Sequence, residues 1–233
     1  MELTEAMRTT PATRDFTDEP VEDSAVERVL ESARFAPSGG NRQPWRVIVV
    51  KDPGIRRAVR DHYVLGWREY LAHVAEGRVP FAPDEHGRWE HPAVDLASAR
   101  ETARPDPFAD GLDTVPVMML LCVDLTALAV LDNGIGRQSI VGGGSIYPFG
   151  HNVLLAARDA GLGGVLTTII CREEAPLKSL LGIPENYALA GMIVLGHPRR
   201  SITRLRRRAV GEFARVDGFD GDQFPRSGTA PAV

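Results

Sequence analysis

The run VPVMMLLCV, residues 115–123, holds nine residues without a single polar side chain. A strand with one face in water alternates apolar and polar residues, whereas an unbroken apolar run needs cover on both faces. Nine residues are too few to cross a bilayer. VPVMMLLCVDL therefore reads as a central strand, and YALAGMIVLGHP (187–198) reads as another. Two shorter runs, RVIVV (46–50) and VLTTIIC (165–171), complete a set of four strands.

Helical patterns separate them. VEDSAVERVLESAR places Val26, Val29, Leu30 and Ala33 at helical spacing, so a helix is expected at about 22–35, opened by Ser24 and Glu27 spaced as a capping box. Residues 54–77 read as a longer helix, 147–160 as a third ended by Gly161, and EEAPLKSLLG as a short fourth. Helices on both sides of four strands imply an α/β or α+β class in three layers. One domain is expected for 233 residues. Residues 78–113 change character: rich in proline and charge, they read as an exposed excursion with one short helix near 93–103. The chain after about 215 reads as an irregular tail.

Composition excludes several classes. At 43% hydrophobic and 25% charged the chain has the make-up of a globular protein, and a net charge of −4 gives no reason to expect nucleic acid or an anionic membrane. Cys122 and Cys171 stand apart in apolar runs and read as buried and reduced, and the N-terminus lacks an apolar leader; a cytoplasmic protein is expected. VGGGS (141–145) and GLGG (161–164) fit neither a Walker loop nor a dinucleotide fingerprint. His86, Glu90 and His91 lack a metal-ligand spacing, and no nucleophile elbow occurs, so neither a metal nor a catalytic triad is expected. Only two of the 27 basic residues are lysine, and six arginines fall within RRSITRLRRR (199–208), a clamp suited to one small phosphate group.

Three separated motifs together resemble one family. APSGGNRQPWRVIVV is similar to the Pro-Ser-x-x-Asn-x-Gln-Pro-Trp segment of the nitroreductase family of flavoproteins. TRDF (13–16) resembles the end of its Arg-Arg-Ser-x-Arg-x-Phe motif, and residues 145–210 resemble its C-terminal half. The resemblance implies an α+β, three-layer fold with a mixed or antiparallel sheet flanked by helices, and FMN at the interface of a homodimer. It implies that Pro37, Ser38, Gly39 and Asn41 cradle the flavin, with turn amides and Asn41 facing it, and that Thr167 and Thr168 line its reactive edge. Arg14 would sit near the pyrimidine end, and Arg207, with Arg206 and Arg208, would hold the phosphate. Where the family has Arg-Arg-Ser, this chain has Thr10, Pro11 and Ala12, and His151 stands in place of a glutamine. The implied activity is ping-pong hydride transfer from NAD(P)H through FMN to a small nitroaromatic or quinone-like acceptor, with no side-chain acid or base. A specialised flavoenzyme of the same fold (dehydrogenation, reductive dehalogenation or flavin fragmentation) and a flavin-binding module without turnover are the alternatives. FMN is expected over FAD, since one arginine cluster is the only phosphate clamp visible. Phe81, Trp89 and Phe108 would make the 78–113 excursion a flap over the substrate pocket.

Overall fold

A computed structural model describes residues 1–200 and 204–224. In chain order its elements are α1 (Leu3–Thr9), α2 (Asp23–Ala33), β1 (Trp45–Val49), α3 (Pro53–Ala75), α4 (Leu96–Glu101), α5 (Pro107–Asp110), β2 (Val117–Asp124), α6 (Tyr147–Asp159), β3 (Gly163–Thr167), α7 (Glu174–Leu181), β4 (Tyr187–Gly196) and α8 (Val210–Phe213), joined in places by 3₁₀ turns. The sheet order is β1-β2-β4-β3 and every pairing is antiparallel. Of the mixed or antiparallel sheet expected, the antiparallel form is the one present.

The apolar runs sit where their lack of alternation requires. In β2, Met118, Leu120 and Cys122 face one side, and Val117, Met119, Leu121 and Val123 face the other; all seven are buried. Central strand β4 repeats the division, with Met192 and Val194 on the first side and Ile193 and Leu195 on the second. Helices α3, α5 and α7 cover the first face through Val59, Tyr63, Phe108 and Leu177. Helices α2 and α6 cover the second through Val26, Val29, Ala33, Phe149, Val153 and Ala157, and Trp45 stacks on Phe149 at 4.9 Å. Among the described residues no helix is long and apolar enough to cross a membrane.

Three local expectations are corrected, and one further element appears at the chain start. Helix α2 begins at Asp23, so Ser24 lies inside its first turn; Glu22 takes the cap position without a side-chain hydrogen bond, and the Ser24–Glu27 box is not formed. The chain start is helical: α1 docks Ala6 against the body. Strand β3 stops at Thr167, and Ile169–Glu173 form a 3₁₀ turn, because Ile170 turns into the core beneath α3 instead of continuing the ladder. Finally, residues 107–113 are not an exposed excursion. Asp106 caps α5 by accepting from the amides of Phe108 and Ala109, Pro107 occupies a first-turn position where its missing N–H costs nothing, and Phe108, Ala109 and Leu112 enter the core. Phe81 and Trp89 lie at 5.0 Å edge to face and pack on His73 near the end of α3.

Candidate functional site

The loop between α2 and β1 is built from inside. Ser38 Oγ accepts from the Gln43 amide at 2.9 Å, and the Gly39 amide donates to Ser145 Oγ at 3.0 Å, across to the start of α6. Gly39 is required there, since a Cβ would stand 2.9 Å from Ala129 Cβ. Gly40, Asn41 and Gln43 all adopt left-handed backbone, with φ of 61°, 53° and 48°. Left-handed geometry at a residue with a Cβ costs free energy, of the order of 1 kcal/mol, and collects at functional loops. The amides of Gly39, Asn41, Arg42 and Gln43 are consumed within the loop and by Ser145. Those four amides are therefore engaged inside the chain. The Gln43 Nε2 donates to Asn41 Oδ1 at 3.2 Å, which leaves the exposed Asn41 with its side-chain N–H₂ outward.

A second group forms at β3. Thr13 donates its amide to Gly164 O at 2.9 Å, so the N-terminal segment runs beside β3 and carries the exposed Arg14 over the Phe108 ring at 5.7 Å. Phe108 meets Tyr63 edge to face, and the Tyr63 and Thr167 hydroxyls share a hydrogen bond at 3.1 Å. Burial pushes the Tyr63 phenol up to about 12, against the Thr167 hydrogen bond and the Arg14 charge. Arg14, Phe16, Asp106 and Phe108 border a cleft of about 470 Å³. Thr168 is exposed and opens the 3₁₀ turn.

The remaining predicted residues stay apart within one chain. Pro37 and Ser38 belong to the loop held at Ser145, and Arg206, Arg207 and Arg208 are exposed, the Arg207 guanidinium donating to the Arg206 carbonyl at 2.8 Å. At the position of the missing Arg-Arg-Ser, the Thr10 hydroxyl closes α1 on Ala6 O and Ala12 bridges Gly164. His151 is exposed. Cys122 is pushed up to about 11 and Cys171 to about 12, chiefly by burial and then by the Glu174 charge, so neither is a thiolate nucleophile at neutral pH. Tyr63 and the helix face that carries it were missed by sequence reasoning. The available signal was Tyr63, Gly66, Glu69 and His73, spaced three or four residues apart in a stripe that should be apolar.

The Nitroreductase family model matches residues 7–197. The chain belongs to the nitroreductase family. Among its relatives, a putative NADH dehydrogenase/NAD(P)H nitroreductase of Archaeoglobus fulgidus is 28% identical over 188 residues, covering 80% of this chain and 79% of that protein. Iodotyrosine deiodinase 1 of Rattus norvegicus is also 28% identical, over 202 residues; the match takes in 85% of this chain but 64% of the deiodinase. The nitroreductase fold is shared with a putative nitroreductase from Desulfovibrio desulfuricans solved in complex with FMN, at a TM-score of 0.60 and 24% identity over 94% of this chain and 98% of that one.

Proposed function

We propose that this nitroreductase-family chain is an FMN-dependent oxidoreductase that passes hydride equivalents from NAD(P)H to a small organic acceptor, as a cytoplasmic homodimer. The observation that carries this reading is the 37–43 loop. Two non-glycine residues held left-handed, with their amides satisfied internally, make an ordered cradle beside the exposed Asn41 side chain. The residues present fit FMN chemically. Asn41 would donate to the flavin's polar rim, Arg14 would place a positive charge near its pyrimidine end, and the arginines at 206–208 would pair with the phosphate. Thr167, fixed by Tyr63, and Thr168 would line the reactive edge. Bound FMN would supply the two-electron carrier; the protein's share is orientation and electrostatics, with no side chain needed as acid or base. Because Arg14 and the 37–43 loop are held by different neighbours in one chain, a complete site is read as needing two copies.

Purified protein should be yellow, release FMN on heating, and lose its visible flavin absorbance on anaerobic addition of NADPH or NADH. FAD as the released species would overturn the cofactor, and a flavin that neither nucleotide bleaches would favour a binding module. The deiodinase relative favours reductive dehalogenation as a second reading. Halide release from a halophenol by the reduced protein, against nitroarene or quinone turnover, separates the two.

A further inference from the structure

Helix α3 is pressed against the turn that follows β3, and the sequence shows why it can be. Gly66 has no Cβ; one would stand 2.9 Å from Ile169 Cγ2 and 3.2 Å from Ile169 O. The same helix face then meets the turn residue by residue. Tyr63 holds Thr167, the gap at Gly66 receives Ile169, Glu69 holds Arg172, and His62 Nδ1 lies 3.3 Å from Glu173 Oε2. Glu69 is fully buried, yet Arg172 Nε donates to it at 2.8 Å and Arg100 Nε at 2.5 Å. Burial raises its carboxyl, but the hydrogen bonds from Arg172 and Arg100 outweigh that and hold it below the usual carboxylate range.

Arg100 is the part that comes from elsewhere. It lies on α4, inside the 78–113 segment, and its second nitrogen, Nη2, donates to Glu173. One guanidinium thus bridges the carboxylate of α3 and the carboxylate of the turn. Arg68 holds its backbone by donating to Arg100 O at 2.8 Å, and Trp89 of the same segment stacks under Arg172 at 5.0 Å. Stability alone does not account for such a cluster, because three ion pairs with buried carboxylates gain little over well-packed apolar residues. What they supply is direction: a forked cation fixes two acids at once.

We propose that Arg100, acting with Glu69 and Arg172, is a positioning residue that ties the 78–106 segment to the Thr167–Glu173 turn and so sets the backbone edge presented to the flavin. This rests on the FMN reading above. The segment contributes to the site through this tether. Its Phe81 and Trp89 rings pack on each other and on His73.

Arg100→Gln tests it, since Glu69 keeps Arg172 and the fold has no unpaired buried acid on α3. In the flavin-free protein, hydrogen exchange at the Cys171 amide, which donates to Thr168 O, should quicken while β2 and β4 amides stay as in the wild type. The FMN dissociation constant, read by flavin fluorescence, should rise between about twofold and thirtyfold. Trp89→Leu should act in the same direction less strongly, and Arg100→Lys should restore part of the loss. Unchanged exchange at the turn, or faster exchange with unchanged FMN affinity, would overturn the proposal, as would faster exchange spread evenly over the strands. If wild-type protein binds no FMN, the FMN reading fails, and the tether stands or falls on the exchange result alone.

Discussion

Tyr63 carries a hydroxyl to a place water does not reach, where among the described residues it hydrogen-bonds the Thr167 hydroxyl. Tyr63→Phe should therefore cost about 1–2 kcal/mol, because a buried threonine hydroxyl loses its partner without gaining water; urea unfolding measures it, and an unchanged midpoint would mean that Thr167 finds another partner. Asp132 makes a similar point with charge. Its carboxylate accepts from the Ile140 amide at 2.9 Å, from Ser139 Oγ at 2.7 Å and from Arg137 at 2.7 Å, which hold it well below the usual carboxylate range. A folded value below the unfolded one means that the ionised group favours the folded loop above about pH 4 and loses that influence as acid protonates it. Asp132→Asn should accordingly melt below the wild type at neutral pH, and the gap should close on acidification. A gap that stays constant would place the effect in shape instead of charge. Neither residue announces itself in the sequence, since the partners lie 104 and eight residues away, respectively.

Among the elements, Gly66 is the position where two local preferences collide. Alanine is the better helix former by about 1 kcal/mol, but here its methyl would enter Ile169, whose own carbonyl is 3.2 Å from the same point. Overpacking against backbone costs about 1–3 kcal/mol, so Gly66→Ala should lower the thermal midpoint; a rise would show that the turn gives way. The strands were legible because apolar runs without alternation leave a chain few choices. The turn after β3 was not. TTIIC has the composition of a strand, and only the approach of α3, distant in sequence, tells Ile169 and Ile170 to bend. Helix α1 escaped notice because it buries a single alanine and leaves Leu3 and Met7 exposed, so no periodic apolar face marks it. The Ser24–Glu27 spacing misled because a capping box also needs the serine at the cap position, and here the cap falls two residues earlier, at Glu22.

At the scale of the whole molecule, Phe35, Leu131, Ile135 and Ile140 stand exposed at 73%, 88%, 59% and 69% around the side that bears the 37–43 loop and its neighbouring 125–145 segment. Such a surface calls for a partner, and sedimentation should give a dimer that buries more than about 2,000 Å², with flavin absorbance moving only with that species; a flavin-loaded monomer would end the idea. The proposed site could be read as motifs and not as a place, because spacing along a chain does not show which of its pieces the fold brings together. The two protonated thiols then offer a way to watch the molecule breathe. At neutral pH a dye that colours only on meeting a thiolate should stay dark on the native protein, so its signal keeps time with opening. Cys171, half-buried on the turn, should answer first and faster in Arg100→Gln; Cys122, at the middle of the sheet, should answer only when the whole chain comes apart. One reagent would thus read two clocks, a quick one for the turn and a slow one for the sheet.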